Sequence, residues 1–345
     1  MPSLFDKETE SAKIVYLGDS GHGKTGSKAA LIAAGYKLRM IDTDRGFKIL
    51  RSLLTDDRYP YAEFIRKSGI DLTEPGRISY IPIDVPIELV DQTVKKPSGN
   101  IQQSILAPAS SAAWNQVVKQ LSSWKDNGQD FGAITDWDND VVLDLDTVST
   151  LAELAKYWNQ DMNSRLGMLE DEYGRDAGAA QELISRLNMK LTSPSVRCNV
   201  IATTHVTWVD TNRGAAQSPG QLLRDNKPTD ARGFPSIIGR SLSPVFGKRW
   251  NDMFVVRRTG NSRSAERRIY SVPTDNIDAK HSAYVEEWYP LSTGLAEIFA
   301  ALLYKDPPED LIKAIRGKPA SGSGPDNSQP KGPNPEGRQD PWARR

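Results

Sequence analysis

The segment YLGDSGHGKTGSKAAL, residues 16–31, constrains this chain more than any other. Gly18, Gly23, Lys24 and Thr25 satisfy the spacing G-x-x-x-x-G-K-[ST]. Glycines at such positions let successive backbone N–H groups turn toward one anion. The apolar run KIVYL ahead of it predicts a short buried strand, and TGSKAALIAAG behind it predicts a helix that stops at Gly35. A strand, a glycine-rich turn and a helix in that order form a phosphate cradle. Gly18, Asp19, Ser20, Gly21, His22, Gly23, Lys24, Thr25 and Gly26 would wrap the phosphates. Lys24 would reach the β- and γ-phosphates and the Thr25 hydroxyl would ligate Mg²⁺, so ATP and Mg²⁺ are the expected cofactors.

The rest of the chain alternates in the same way. KLRMIDTD, RISYIPID, DVVLDLDTVS and CNVIATTH read as further strands. GFKILRSLL, SAAWNQVVKQLSSW, 149–163, 176–190 and TGLAEIFAALLYK read as helices. DMFVVRR and RRIYSVP, separated by TGNSRSAE, read as a hairpin. The expected class is α/β, a mainly parallel sheet flanked by helices with a C-terminal β-hairpin. Residues 1–11 are expected to be an N-terminal arm and 12–305 the core. Within the core, 83–108 are expected as an irregular insertion and 206–233 as a mobile basic loop. Residues 306–345 are expected to form a polar, largely disordered tail, with a lone Trp342 offering an anchor for a protein partner.

Phosphate chemistry needs more than a cradle. A carboxylate at a neighbouring strand end must hold the metal, and VVLDLDTVS offers Asp144 and Asp146 on one face of a strand. Asp146 lies nearer the carboxyl end, where ligands bind in open α/β sheets. Asp44, ending the strand after the cradle helix, is placed to orient water beside the γ-phosphate; a turn or helix-cap role is its alternative. Thr204 and His205, at the tip of NVIATTH, are candidate γ-phosphate sensors.

These four parts, in this order, resemble the ATPase core of the RecA/Rad recombinase superfamily, most closely the phage-encoded RecA-like ATPases associated with single-strand annealing. Asp44 in MIDTDRG stands where bacterial RecA has Glu, LDLDTVSTL is similar to the family's metal-binding strand end, and His205 stands where the family has Gln. The resemblance implies ATP hydrolysis, a homo-oligomer with ATP at subunit interfaces, and single-stranded DNA as partner. It implies that DNA meets the loop after the sensor strand, here carrying Arg213, Arg224, Lys227 and Arg232. Trp208 beside that strand is either a base-stacking residue or core. The resemblance further implies that basic residues just before the hairpin, Lys248 and Arg249 with Arg240 as competitor, complete the site of the next subunit.

Charge is where composition enters. Lys and Arg total 44 and Asp and Glu total 44, which excludes a globally basic nucleic-acid coat. The balance is uneven, however: residues 206–268 hold 12 basic and 5 acidic side chains, and residues 126–176 hold 13 acidic and 3 basic ones. An anionic partner for the basic part, or mutual neutralisation of the two parts, both fit. One cysteine, Cys198, permits no internal disulfide and no cysteine zinc cluster. With no apolar run long enough for a membrane or a leader, a cytoplasmic protein is expected. A ring helicase or packaging motor, a small-molecule or nucleotide kinase, and an ATP-dependent scaffold are the alternatives the same core would host.

Overall fold

Strand β1 (Lys13–Leu17) is buried along its whole length, as a strand must be when helices cover both faces of a sheet. The computed structural model describes residues 11–84, 87–96, 99–108, 110–166, 174–210, 216–217, 231–238, 241–259, 265–274 and 276–316. In it β1 pairs in parallel with β9 (Asn199–Thr204) on one side and β13 (Asp252–Thr259) on the other. Beyond β9 the parallel sheet continues through β8 (Val141–Asp146), β2 (Lys37–Asp42) and β3 (Ile78–Pro82). Beyond β13 the strands β14 (Glu266–Tyr270) and β15 (Trp288–Pro290) run antiparallel. The order is β15-β14-β13-β1-β9-β8-β2-β3, the mixed α/β class with a C-terminal hairpin that the sequence predicts.

Alternation along each strand divides the interior into two cores. Val15 and Leu17 face one, Ile14 and Tyr16 the other. The first lies under α5 (Ala112–Ser122), α6 (Val148–Met162), α7 (Arg175–Leu191) and α8 (Ser243–Phe246), with Trp114, Leu151, Ile184 and Phe246 facing in. Trp124 is fully buried there; its indole N–H donates to Ser79 Oγ at 2.8 Å, and its ring meets Trp137 edge-on at 5.6 Å. The second core lies under α1 (Lys24–Ser27), α2 (Ala29–Ala33), α3 (Phe47–Thr55), α4 (Pro60–Lys67), α9 (Gly294–Leu302) and α10 (Glu309–Arg316).

Four segments differ from the sequence expectation. Residues 83–108 are not irregular: β4 (Ile87–Lys96) and β5 (Gly99–Pro108) pair antiparallel over ten positions. Short strands β6 (Lys125–Asp126) and β7 (Gln129–Asp130) make a second small hairpin. The region after β9 is not simply a loop, because β10 (Val206–Asp210) pairs antiparallel with β11 (Ala216–Gln217) and with β12 (Ala231–Pro235). Finally, the polar tail does not begin at 306. Leu311 and Ile315, four apart on α10, are buried against the second core. Residues 1–10 and 317–345, including Trp342, lie outside the described residues.

Among the described residues no helix is long and apolar enough to cross a membrane.

Candidate nucleotide site

The carboxyl ends of β1, β9, β8 and β2 lie side by side, since Leu17 is level with Thr204, Asp146 with Thr203, and Asp42 with Asp146. The loops leaving those ends build the site. Gly18 begins the cradle, its N–H donating to the Thr204 carbonyl at 3.2 Å. A Cβ on Gly18 would sit 2.8 Å from the Val256 carbonyl oxygen of β13, which is why glycine stands there. Gly23, at φ +95°, caps α1 in the left-handed region. The predicted cradle helix is broken at Lys28 into α1 and α2, and ends where Gly35 turns left-handed at φ +94°.

Lys24 folds back over the loop, donating to the carbonyls of Gly18 at 2.6 Å and Asp19 at 3.1 Å. Burial pulls its ammonium down to about 8, against the opposing pull of Asp146. Thr25 donates through Oγ1 to Asp146 Oδ2 at 2.6 Å. The hydroxyl and the strand-end carboxylate expected to share a metal are therefore in direct contact. Asp144 is fully buried one turn of the pleat deeper, and does not line the cavity. Burial raises its carboxyl above the usual range, against the opposing pull of Lys28. Of the two, only Asp146 lines the cavity.

Asp44 stands between two candidate roles in the sequence, and the structure gives the capping role to its neighbour. The buried Asp42 carboxylate accepts from Gly46 N–H at 2.9 Å and Phe47 N–H at 3.0 Å at the start of α3. That turn carries Asp44 into the cavity, where Oδ2 lies 3.4 Å from His205 Nε2 and Oδ1 accepts from Thr150 Oγ1 at 3.1 Å. These partners, the His205 contact foremost, hold the Asp44 carboxyl below its ordinary value. His205 is itself anchored by its backbone N–H, which donates to Ser149 Oγ on α6 at 3.1 Å. Thr43 ties β2 to β8, its N–H donating to the Asp146 carbonyl at 2.7 Å and its Oγ1 accepting from Thr147 N–H at 2.8 Å.

The open cleft these residues form measures about 1140 Å³. Thr25, Asp44, Asp146, Thr147 and His205 form its polar wall; Ile49, Leu53, Tyr59, Tyr61, Pro290 and Leu291 form an apolar one. Such a combination suits a ligand with an anionic tail and a flat apolar head.

Three contributors were missed by sequence reasoning. Lys28 is fully buried and pairs with both Asp144 and Asp146. Arg267, on β14 of the C-terminal hairpin, and Leu291, just after β15, reach over the cradle: a Cβ on Gly23 would lie 2.5 Å from Leu291 Cδ2 and 3.2 Å from Arg267 Cδ. Among the described residues Arg267 has no carboxylate partner, and it lines the cavity. The RR pair in RRIYSVP was visible in the sequence, but nothing local said that it reaches back to residue 23.

Other predicted residues fall elsewhere. Lys248 and Arg249 are exposed on a short turn before the first residue of β13. They therefore sit at the amino end of the sheet, about 20 Å from the cradle end at roughly 3.3 Å per strand residue, and do not join the site of their own chain. Arg232 is half exposed and bonds Asp278 through both carboxylate oxygens, at 2.8 and 3.0 Å. Trp208 packs against the first core, which favours its core role over base stacking. Arg213, Arg224, Lys227 and Arg240 lie outside the described residues.

No protein-family model matches the sequence, and no curated protein matches it. Three solved structures similar to it over most of its length are a KaiC-like protein from the archaeon Pyrococcus horikoshii, the RadB recombinase, and the flagellar accessory protein FlaH from Methanocaldococcus jannaschii. The first is 14% identical, covering 81% of this chain and 85% of that one at a TM-score of 0.36. RadB is 11% identical, covering 81% and 86% at 0.37. FlaH is 10% identical, covering 83% and 89% at 0.34. Scores this low carry no functional weight; the site's own residues must carry it.

Proposed function

We propose that this chain is a Mg²⁺-dependent ATPase of RecA-like design that acts on single-stranded DNA in annealing, recombination or repair. The observation that supports nucleotide hydrolysis most directly is the 2.6 Å contact between Thr25 Oγ1 and Asp146 Oδ2 beside the Lys24 cradle. Both bonds to Asp146, from Thr25 and from Lys28, fall on Oδ2, so Oδ1 remains for a metal or its water shell. Thr25 and Asp146 would hold Mg²⁺, which when bound neutralises charge on the β- and γ-phosphates.

The chain's own groups do the rest. The cradle N–H groups and Lys24 bind and align the phosphates; Asp44, held by His205 and Thr150, orients the attacking water; Arg267 adds positive charge from the hairpin. The apolar wall takes the base. In this reading Lys248 and Arg249 serve the site of a neighbouring subunit, and the basic residues Arg213, Arg224, Lys227 and Arg232 meet DNA phosphates.

The test is the ATPase rate with and without single-stranded DNA over a salt series, alongside Lys24→Ala. The expected result is stimulation by DNA that fades as salt rises, because displaced counterions drive such binding, and that is absent in the variant. Hydrolysis indifferent to DNA at every salt would remove the DNA part, and no binding of ATP analogues would remove the whole reading.

A further inference from the structure

Lys28 is the residue the proposed chemistry leaves unused. It follows the cradle at the break between α1 and α2, in a segment the sequence marks only as helical. Its side chain is fully buried, as is Asp144, and Asp146 is 2% exposed. The ammonium lies 2.8 Å from Asp144 Oδ2, 2.9 Å from Asp146 Oδ2 and 3.2 Å from Thr203 Oγ1. Thr203 Oγ1 in turn donates to Asp144 Oδ1 at 3.2 Å, closing a ring of contacts. Two of these contacts, to Asp146 and Thr203, are hydrogen bonds, which use two of the three hydrogens an ammonium has to give.

Two carboxylates two residues apart on one strand face, out of water, would otherwise have to take up a proton or a cation to balance their charge. The contact to Asp144 is an ion pair without an aligned hydrogen bond, since Oδ2 has no hydrogen-bond partner of good geometry. Lys28 therefore serves as a counter-ion as much as a donor.

We infer that Lys28 is a built-in cation that fills the slot between Asp144 and Asp146 and makes metal binding conditional on nucleotide. It acts as a positioning residue. It pins Asp146 through Oδ2, together with Thr25, and turns Oδ1 outward. It also lowers the negative charge of the site, so a divalent ion is held well only when phosphates add theirs. The inference rests on the nucleotide reading for the role of Asp146, and its central measurement is made without nucleotide.

The experiment titrates Mn²⁺ into the full, nucleotide-free chain and reads free Mn²⁺ by its electron paramagnetic resonance signal. Wild type, Lys28→Met and Lys28→Met/Asp144→Asn are compared, with near-ultraviolet circular dichroism as the folding check. Lys28→Met should bind one Mn²⁺ at least about tenfold more tightly than wild type, because the counter-charge the ammonium supplied must then come from a proton or a metal ion, and the divalent ion pairs with both carboxylates. The double variant, which removes one of those carboxylates, should lose most of that gain. A folded Lys28→Met with wild-type Mn²⁺ affinity would overturn the inference, as would a wild type that already binds Mn²⁺ as tightly.

Should Lys28→Met fail to fold, Asp144→Asn gives the second test. With one carboxylate gone the ammonium acts on Asp146 alone, so Mn²⁺ affinity in the presence of ADP should fall about threefold or more; unchanged affinity overturns the inference. Titration of a fluorescent ATP analogue into wild type reports separately on the nucleotide reading. Its failure would leave the nucleotide-free Mn²⁺ comparison intact.

Discussion

Replacing Asp44 by Asn tests the proposed hydrolytic step most sharply. Asn keeps the size of the side chain and an acceptor for Thr150, but removes the charge that orients water. Positioned acid–base groups contribute about 10²–10⁴ to rate. Asp44 should fall at the lower end of that range because it is a poor base. His205 Nε2 at 3.4 Å, Thr150 Oγ1 at 3.1 Å and Thr43 Oγ1 at 3.3 Å all favour its ionised form. The expected loss is therefore about 10²-fold in the single-turnover rate, or about 2.7 kcal/mol of barrier at 1.36 kcal/mol per tenfold. Affinity for a nonhydrolysable ATP analogue should change by less than about threefold, since the group acts on water and not on phosphate. The sign with pH follows from the lowered pKa. Ionised Asp44 adds to stability above the free carboxylate's value of about 4, and that contribution is lost as pH falls through its lower value in the fold. Between pH 6 and 8 it stays charged, so it should impose no pH dependence on the rate there. An Asn variant hydrolysing ATP within threefold of wild type, with Mg²⁺ saturating, would refute the assignment.

Burial lowers the Lys24 pKa to about 8. Phosphate binding needs the protonated form, so affinity should fall above pH 8, by up to about tenfold per unit; calorimetry in buffers of different ionisation enthalpy should detect the accompanying proton uptake. Arg267→Ala should weaken nucleotide binding about tenfold, the lower end for a hydrogen bond to a charged group, because the arginine is exposed; equilibrium titration checks it, and unchanged affinity would place Arg267 outside the site. Leu311→Ala combined with Ile315→Ala should cost about 4 kcal/mol in chemical unfolding, at about 2 kcal/mol per buried aliphatic truncation. A disordered tail beginning at 306 would show no loss.

The sequence alone determined what depends on local spacing. Phosphate cradles are set by a few backbone dihedrals and the residues that permit them, so Gly18, Gly23, Lys24 and Thr25 could be read without a structure. Strands buried on both faces read as largely apolar runs, as IVYL, VVL and VIA do in β1, β8 and β9, which also located Asp146 and His205 at strand ends. In the β4–β5 hairpin composition misled, because a segment rich in Pro, Ser and Gln reads as irregular although most of its residues pair across two strands. Tertiary structure decided what depends on which distant segments meet. Asp42 took the cap that Asp44 would otherwise have served, Asp144 was sealed beneath Asp146, and Arg267 from β14 with Leu291 from the end of β15 crossed to Gly23. Lys28 shows the difference most plainly. Its neighbours in sequence give it no carboxylate, and only the placement of β8 beneath the cradle helix turns an ordinary lysine into the buried counter-charge of two aspartates.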